Sequence, residues 1–301
     1  VSTRIVPKQT RLRGGGVELA ADVWGDPAHP PIIFLHGAGQ SRRAWDEAAR
    51  ALAARGWHAL TVDHRGHGDS EWPVDTAYEW ADFADDVDAL VGHCAQPPVV
   101  VGASLGGIAA LTAQGRAAQQ LYRALILVDV TPRLRLQGVK RIVGFMAANP
   151  DGFADLDEAS QVIAEFTGRS KPPSPEPLRQ VLREGPDKRW RWHWDVRFLK
   201  GRADAILAAD EESARTNTMR EELLDAARRV RVPTLVVRGA QSDMVSPHAV
   251  RELVEIVAGA RYVDVADAGH MVAGDQNDRF IDAIVHFLTD LPGAPSQGFR
   301  S

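Results

Sequence analysis

Val99-Val100-Val101-Gly102-Ala103-Ser104-Leu105-Gly106-Gly107-Ile108 reads as a buried strand that turns sharply into a helix. The strand part is continuously apolar, as strands covered on both faces are. Beyond it the residues are small or apolar, and Ile108, Leu111 and Thr112 fall at helical spacing. Ser104 stands at the junction, with Gly102 two before it and Gly106 two after. Such a turn is strained and neighbouring backbone passes close by, which is what the glycines permit. A serine held there can be presented as a nucleophile. The five-residue pattern alone is only an indication; its weight comes from what surrounds it in chain order.

Three further pieces do so. His36-Gly37-Ala38-Gly39 follows the apolar run Ile32-Ile33-Phe34-Leu35. A glycine-rich loop after a strand aims backbone N–H groups into a site, where they stabilise the oxyanion of acyl transfer. The expected donors are the amides of Ala38 and of Leu105. His270 lies in Asp267-Ala268-Gly269-His270, after the strand-like Arg261-Tyr262-Val263-Asp264-Val265. A neutral imidazole accepts a serine proton, and a carboxylate on its other nitrogen fixes its tautomer. For that carboxylate the chain order Ser104, Asp243, His270 points to Asp243, beyond the strand Thr234-Leu235-Val236-Val237. The alternative is Asp129, which ends Leu125-Ile126-Leu127-Val128-Asp129. Asp267 reads as a turn-former.

On these residues the chain resembles the α/β-hydrolase family over about residues 17–290. Asp63-His64-Arg65-Gly66-His67-Gly68-Asp69-Ser70 is similar to that family's Asp-x-Arg-Gly-x-Gly-x-Ser turn, a structural segment, so neither His64 nor His67 is expected to be catalytic. The resemblance implies a serine esterase with a Ser104, His270, Asp243 triad, an acyl-enzyme intermediate, and no metal or organic cofactor. Ser104 argues against the dehalogenases and epoxide hydrolases of the fold, which carry aspartate at the elbow. Ala103 and Gln40-Ser41 depart from the carbon–carbon hydrolase pattern, which stays an alternative using the same triad, and Leu105 departs from the perhydrolase methionine. A lactone, as an internal ester, stays open, as does a ligand receptor built on the same scaffold.

The fold expected is α/β: a mostly parallel central sheet with helices on both faces and an inserted helical cap. Gly14-Gly15-Gly16 separates two extended segments, a hairpin leading into the sheet. Strands then alternate with helices, including a strand over 57–63 and a helix over 77–93. The alternation stops between about 131 and 230, where helix-like stretches cover 139–148, 156–166, 177–183 and 203–227 without a clear strand. Lys171-Pro172-Pro173-Ser174-Pro175-Glu176-Pro177 reads as a stiff connector. Residues 132–230 are therefore expected to form the cap, and 1–131 with 231–301 the core. Within the cap, Trp190-Arg191-Trp192-His193-Trp194-Asp195 offers Trp192 and Trp194 as substrate-binding rings, or else as packing between cap and core. Arg133, Arg135, Lys140 and Arg141 offer either attraction for an anionic substrate or a solvated face.

Composition narrows the partners. A net charge of −5 without a basic block argues against nucleic acid. No run approaches the about 18 apolar residues of a membrane span, and residues 1–16 do not read as a secretory signal, so a cytoplasmic location is expected. The single cysteine, Cys94, cannot form an internal disulfide and is expected as a buried thiol on a helix. The partner expected is a small-molecule ester or lactone; composition leaves the oligomeric state open.

Overall fold

The computed structural model describes residues 5–75, 78–167, 174–200, 202–210, 214–270 and 277–295, excluding the side chains of 214–216 and 277. An eight-stranded sheet organises them. Its strands are β1 (Lys8–Arg13), β2 (Glu18–Trp24), β3 (Pro31–Leu35), β4 (His58–Val62), β5 (Val99–Ala103), β6 (Ala124–Val128), β9 (Thr234–Gly239) and β10 (Arg261–Val265), in the order β1-β2-β4-β3-β5-β6-β9-β10. The pairs β1–β2 and β2–β4 are antiparallel and every other pair is parallel. The triple glycine does join a hairpin, and the expected strand at 57–63 is observed as His58–Val62.

Alternation along the strands builds the two layers. Ile33, Leu35, Val100, Leu125, Leu127 and Val236 point to one face. There they meet α2 (Trp80–Gly92), α3 (Leu105–Arg116), α7 (Ala214–Arg229) and α8 (Pro247–Ile256). Ile32, Phe34, Val99, Val101, Ile126 and Val237 point to the other, against α1 (Asp46–Ala53) and α9 (Asn277–Thr289). Both faces are covered, which is why β3, β5 and β6 carry no polar residue along their length. Cys94 lies in the turn just past α2 rather than on it. Burial raises its thiol to about 11, so it stays protonated.

Between β6 and β9 the chain forms α4 (Leu136–Ala147), α5 (Leu156–Thr167), β7 (Leu182–Glu184), β8 (Trp190–Trp192) and α6 (Ala203–Ala208) before α7. A short antiparallel hairpin, β7–β8, therefore stands where no strand was expected, and 177–183 is a 3-10 turn running into β7 instead of a helix. Phe153, Leu156, Ala159, Leu178 and Leu182 give this segment a small core of its own. The proline connector lies only partly within the described residues, since 171–173 fall outside them. Among the described residues no helix is long and apolar enough to cross a membrane.

Candidate active site

Ser104 carries φ 44° and ψ −111°, a conformation that only a tightly constrained turn holds. Its surroundings explain the constraint. A Cβ on Gly102 would lie 2.6 Å from the Gly107 nitrogen, and one on Gly106 would lie 2.4 Å from the Leu35 carbonyl oxygen. The elbow is thus clamped between α3 and the end of β3. Gly106 N–H donates to the His36 carbonyl at 3.2 Å, and Ser104 N–H to the Val128 carbonyl at 3.2 Å. No hydrogen bond to the Ala38 or Leu105 amide is formed among the described residues. A Cβ on Gly37 would sit 3.4 Å from the Ser104 Cβ, so the loop lies against the serine.

The loop that carries Ala38 is held from below by histidines. His64 N–H donates to His36 Nε2 at 3.1 Å, so the His36 proton is on Nδ1, which donates to the Gly37 carbonyl at 2.8 Å. Gly39 N–H donates to His67 Nε2 at 3.2 Å, and His67 Nδ1 donates to the Arg65 carbonyl at 3.0 Å. Burial keeps both rings neutral, lowering His36 to about 4 and His67 to about 3; it also holds His64 well below its ordinary value. The Asp63–Ser70 turn is thus a buried scaffold, as its resemblance implied. Asp63 pairs with Arg42, and Arg65 with Asp86.

His270 meets Asp129, and the expectation for Asp243 is corrected. His270 Nδ1 lies 2.6 Å from Asp129 Oδ2, and the Asp129 side chain is completely buried. The Asp243 carboxylate is 40% exposed and accepts from Arg141 Nε at 2.7 Å. The reason lies in strand order. β6 neighbours β5, so a carboxylate at its end stands beside the serine elbow, whereas residue 243 lies four beyond the end of β9. Asp129 itself adopts φ 47° just past the end of β6. Gly239 N–H at 3.1 Å and Ser242 Oγ at 2.6 Å donate to it. Ser242 went unnoticed in the sequence, where nothing distinguishes it from an ordinary loop serine. The loop bearing His270 is stitched back to β9 by Ala240 N–H to the Val265 carbonyl and Gln241 N–H to the Ala268 carbonyl, each at 2.9 Å. Asp267 takes φ 60°, as a turn-former does.

A cavity of about 480 Å³ opens over Ser104, Leu105 and Ala38. Its walls are hydrocarbon from α3, α4, α6 and α7, including Leu136, Val143, Met146 and Ile206. Trp192 and Trp194 do not line it, which corrects their expected role as substrate-binding rings. Trp194 is buried and stacks on His67, and Trp192 packs edge-on to Phe145 and Phe153. The backbone around them docks on the scaffold turn, through Gly68 N–H to the His193 carbonyl and Asp195 N–H to the Gly66 carbonyl, both 2.7 Å. Two members of the basic cluster are spent elsewhere: Arg133 pairs with Glu252, and Arg141 with Asp243.

Known proteins share this architecture. The model of the Alpha/beta hydrolase family matches residues 32–283. A 3-hydroxybutyrate-oligomer hydrolase of Cupriavidus necator is 30% identical over 84% of this chain and 86% of its own. The esterase Rv0045c of Mycobacterium tuberculosis is 29% identical over 93% of this chain and 88% of its own. Among solved structures, an E-2-(acetamidomethylene)succinate hydrolase superposes with a TM-score of 0.76 at 24% identity, over 94% of this chain and 99% of that one. The chain belongs to the alpha/beta hydrolase family.

Proposed function

We propose that the protein hydrolyses carboxylic esters through an acyl-enzyme, with Ser104 as nucleophile, His270 as base and Asp129 as its orienting carboxylate. The observation that carries this reading is the 2.6 Å bond from His270 to a buried Asp129 whose strand end is tied to the Ser104 backbone. With Nδ1 turned to Asp129, His270 Nε2 is left to take the serine proton. As Oγ bonds to the ester carbon, the carbonyl electron pair moves onto oxygen, and the Ala38 and Leu105 amides donate hydrogen bonds to that oxyanion. Each such donor contributes about 3 kcal/mol to the transition state. Collapse of the intermediate expels the alcohol, which takes its proton from His270. Water then repeats the sequence on the acyl-serine and releases the acid. Residues 132–230 serve as a cap that excludes water and supplies most of the apolar wall.

The test is Ser104→Ala against short p-nitrophenyl esters, with fluorophosphonate labelling of the unmodified protein. The variant should fold and lose on the order of 10⁵–10⁶ in kcat, and the label should sit on Ser104. Substantial turnover by Ser104→Ala would reject the nucleophile. A folded protein that takes no label would favour a ligand receptor instead.

A further inference from the structure

We propose that Trp80, with Ile108 and Met219, forms the end wall that sets how long an acyl chain the site accepts. This rests on the ester reading above. Three charged side chains reach the wall of the cavity over Ser104, and the rest of its lining is almost wholly hydrocarbon; of the three, Arg220 donates to Asn217 Oδ1 at 3.3 Å. Two of the polar side chains in its wall, Glu79 and Arg202, are committed to each other at 2.6 Å, and Arg202 also donates to the Tyr78 carbonyl at 2.6 Å. An uncharged hydrocarbon acyl group is the ligand that such a lining desolvates without loss.

A second hollow of about 380 Å³ lies between α2, α3 and α7, and Trp80, Ile108 and Met219 border it as well. The same three side chains thus face both spaces. Position along α3 gives the direction. At about 1.5 Å of rise per residue, Ile108 is ~6 Å beyond Ser104, Thr112 ~12 Å and Arg116 ~18 Å. Ser104 and Ile108 line the first cavity; Ile108, Thr112 and Arg116 line the second. The second hollow therefore continues the first, away from the nucleophile. Around Gly115 the helices α3 and α7 come close, since a Cβ there would stand 2.5 Å from the Ala226 Cβ. Its rim is polar and exposed, with Arg116 paired to Asp85. Trp80 is the largest group in the partition. It sits at the start of α2, half-buried, with its ring centroid 6.4 Å from that of Phe83.

Acyl length is the readout. With p-nitrophenyl esters from acetate to palmitate, each methylene buried in the wild-type cavity should raise kcat/KM about fourfold. The rise stops where the chain meets the wall. Trp80→Ala joins the two spaces, so the laurate-to-hexanoate ratio of kcat/KM should rise roughly tenfold or more, as two further methylenes are buried. Adding Thr112→Phe to that variant refills the second hollow and should return the ratio towards wild type. Met219→Ala opens the wall from the α7 side and should move the profile the same way if Trp80→Ala fails to fold. An unchanged ratio in a variant whose Ser104 still takes the fluorophosphonate label overturns the partition. A wild-type protein that neither hydrolyses esters nor takes the label overturns the ester reading instead. The wall is then read from calorimetric binding of octanoate, laurate and palmitate, where Trp80→Ala should favour the longer acids and an unshifted preference again rejects it.

Discussion

Two carboxylates compete for the same histidine in the chain order, and geometry separates them by burial and by company. Asp129 is enclosed, accepts from a backbone amide and a serine hydroxyl, and faces His270. Asp243 is half in solvent with an arginine. An enclosed carboxylate held by two fixed donors cannot turn away, which an orienting group requires. Asp129→Asn keeps the shape and the neighbours but presents an amide to Nδ1, so the imidazole tautomer is wrong for accepting the serine proton. The expected loss in kcat is on the order of 10⁴. Asp243→Asn removes a surface pair worth about 0–1 kcal/mol and should leave kcat within a few-fold. Steady-state kinetics of the two variants decide the matter: a large loss in Asp243→Asn with a mild one in Asp129→Asn would reverse the assignment.

At the scale of elements, the site is held by the close approach of two strand-following loops. A Cβ at Gly239 would lie 2.0 Å from the Gly269 carbonyl oxygen, and the Gly239 amide also holds Asp129. Gly239→Ala must therefore push the His270 loop away from the ends of β6 and β9. A displacement near 1 Å costs on the order of 100-fold in catalysis, so kcat/KM should fall by about that factor while far-UV circular dichroism keeps its shape. Wild-type kinetics in this variant would show that the loop spacing does not matter. The same elements explain what could be read from the chain. Strands β3, β5, β6 and β9, the elbow at Ser104 and the loop of Ala38 are legible because continuous apolar runs that break off at a polar residue or a glycine have few other readings. Asp129 is visible as a strand end, but chain order favours Asp243 because it says nothing about which loops meet across a sheet. Trp192 and Trp194 misled because an alternating aromatic run has the same composition whether its rings face a ligand or a neighbouring turn. The β7–β8 hairpin was hidden for a related reason. Three-residue strands are too short to show a period, and their pairing is set by tertiary contacts such as Phe153 with Trp190.

Across the whole molecule, the oxyanion loop rests on imidazoles that must stay uncharged, and this ties folding stability to pH. His36, His64 and His67 are buried with their tautomers set by backbone partners. Desolvation is the main cause of their low values, Arg42 and Arg65 add to it at His36 and His64, and Asp63 and Asp195 oppose it at His67. Below pH 6.5 the unfolded chain binds protons at these positions and the folded one does not, so the unfolded state gains as pH falls. The His36 ring then contributes on the order of 3 kcal/mol that is present above pH 6.5 and lost as pH falls towards 4, and His64 and His67 act in the same direction. Asp46 works the other way. Its carboxyl is raised to about 6, chiefly by burial, so the folded state takes up its proton first and gains as pH falls from there. Burial raises Asp86 as well, but it also lowers His58 and His193 alongside the three enclosed rings, and the histidines win. Stability should therefore decline continuously from pH 7 to pH 4.5, lowering Tm by on the order of 10 °C. Protonation at His67 Nε2 would set an N–H against the Gly39 amide, so the loop carrying Ala38 should loosen before the sheet melts. Thermal melts across this range, with ester turnover measured at each pH below the melting point, check both parts. A Tm that stays level or rises towards pH 4.5 would mean that these rings take up protons without disturbing the loop.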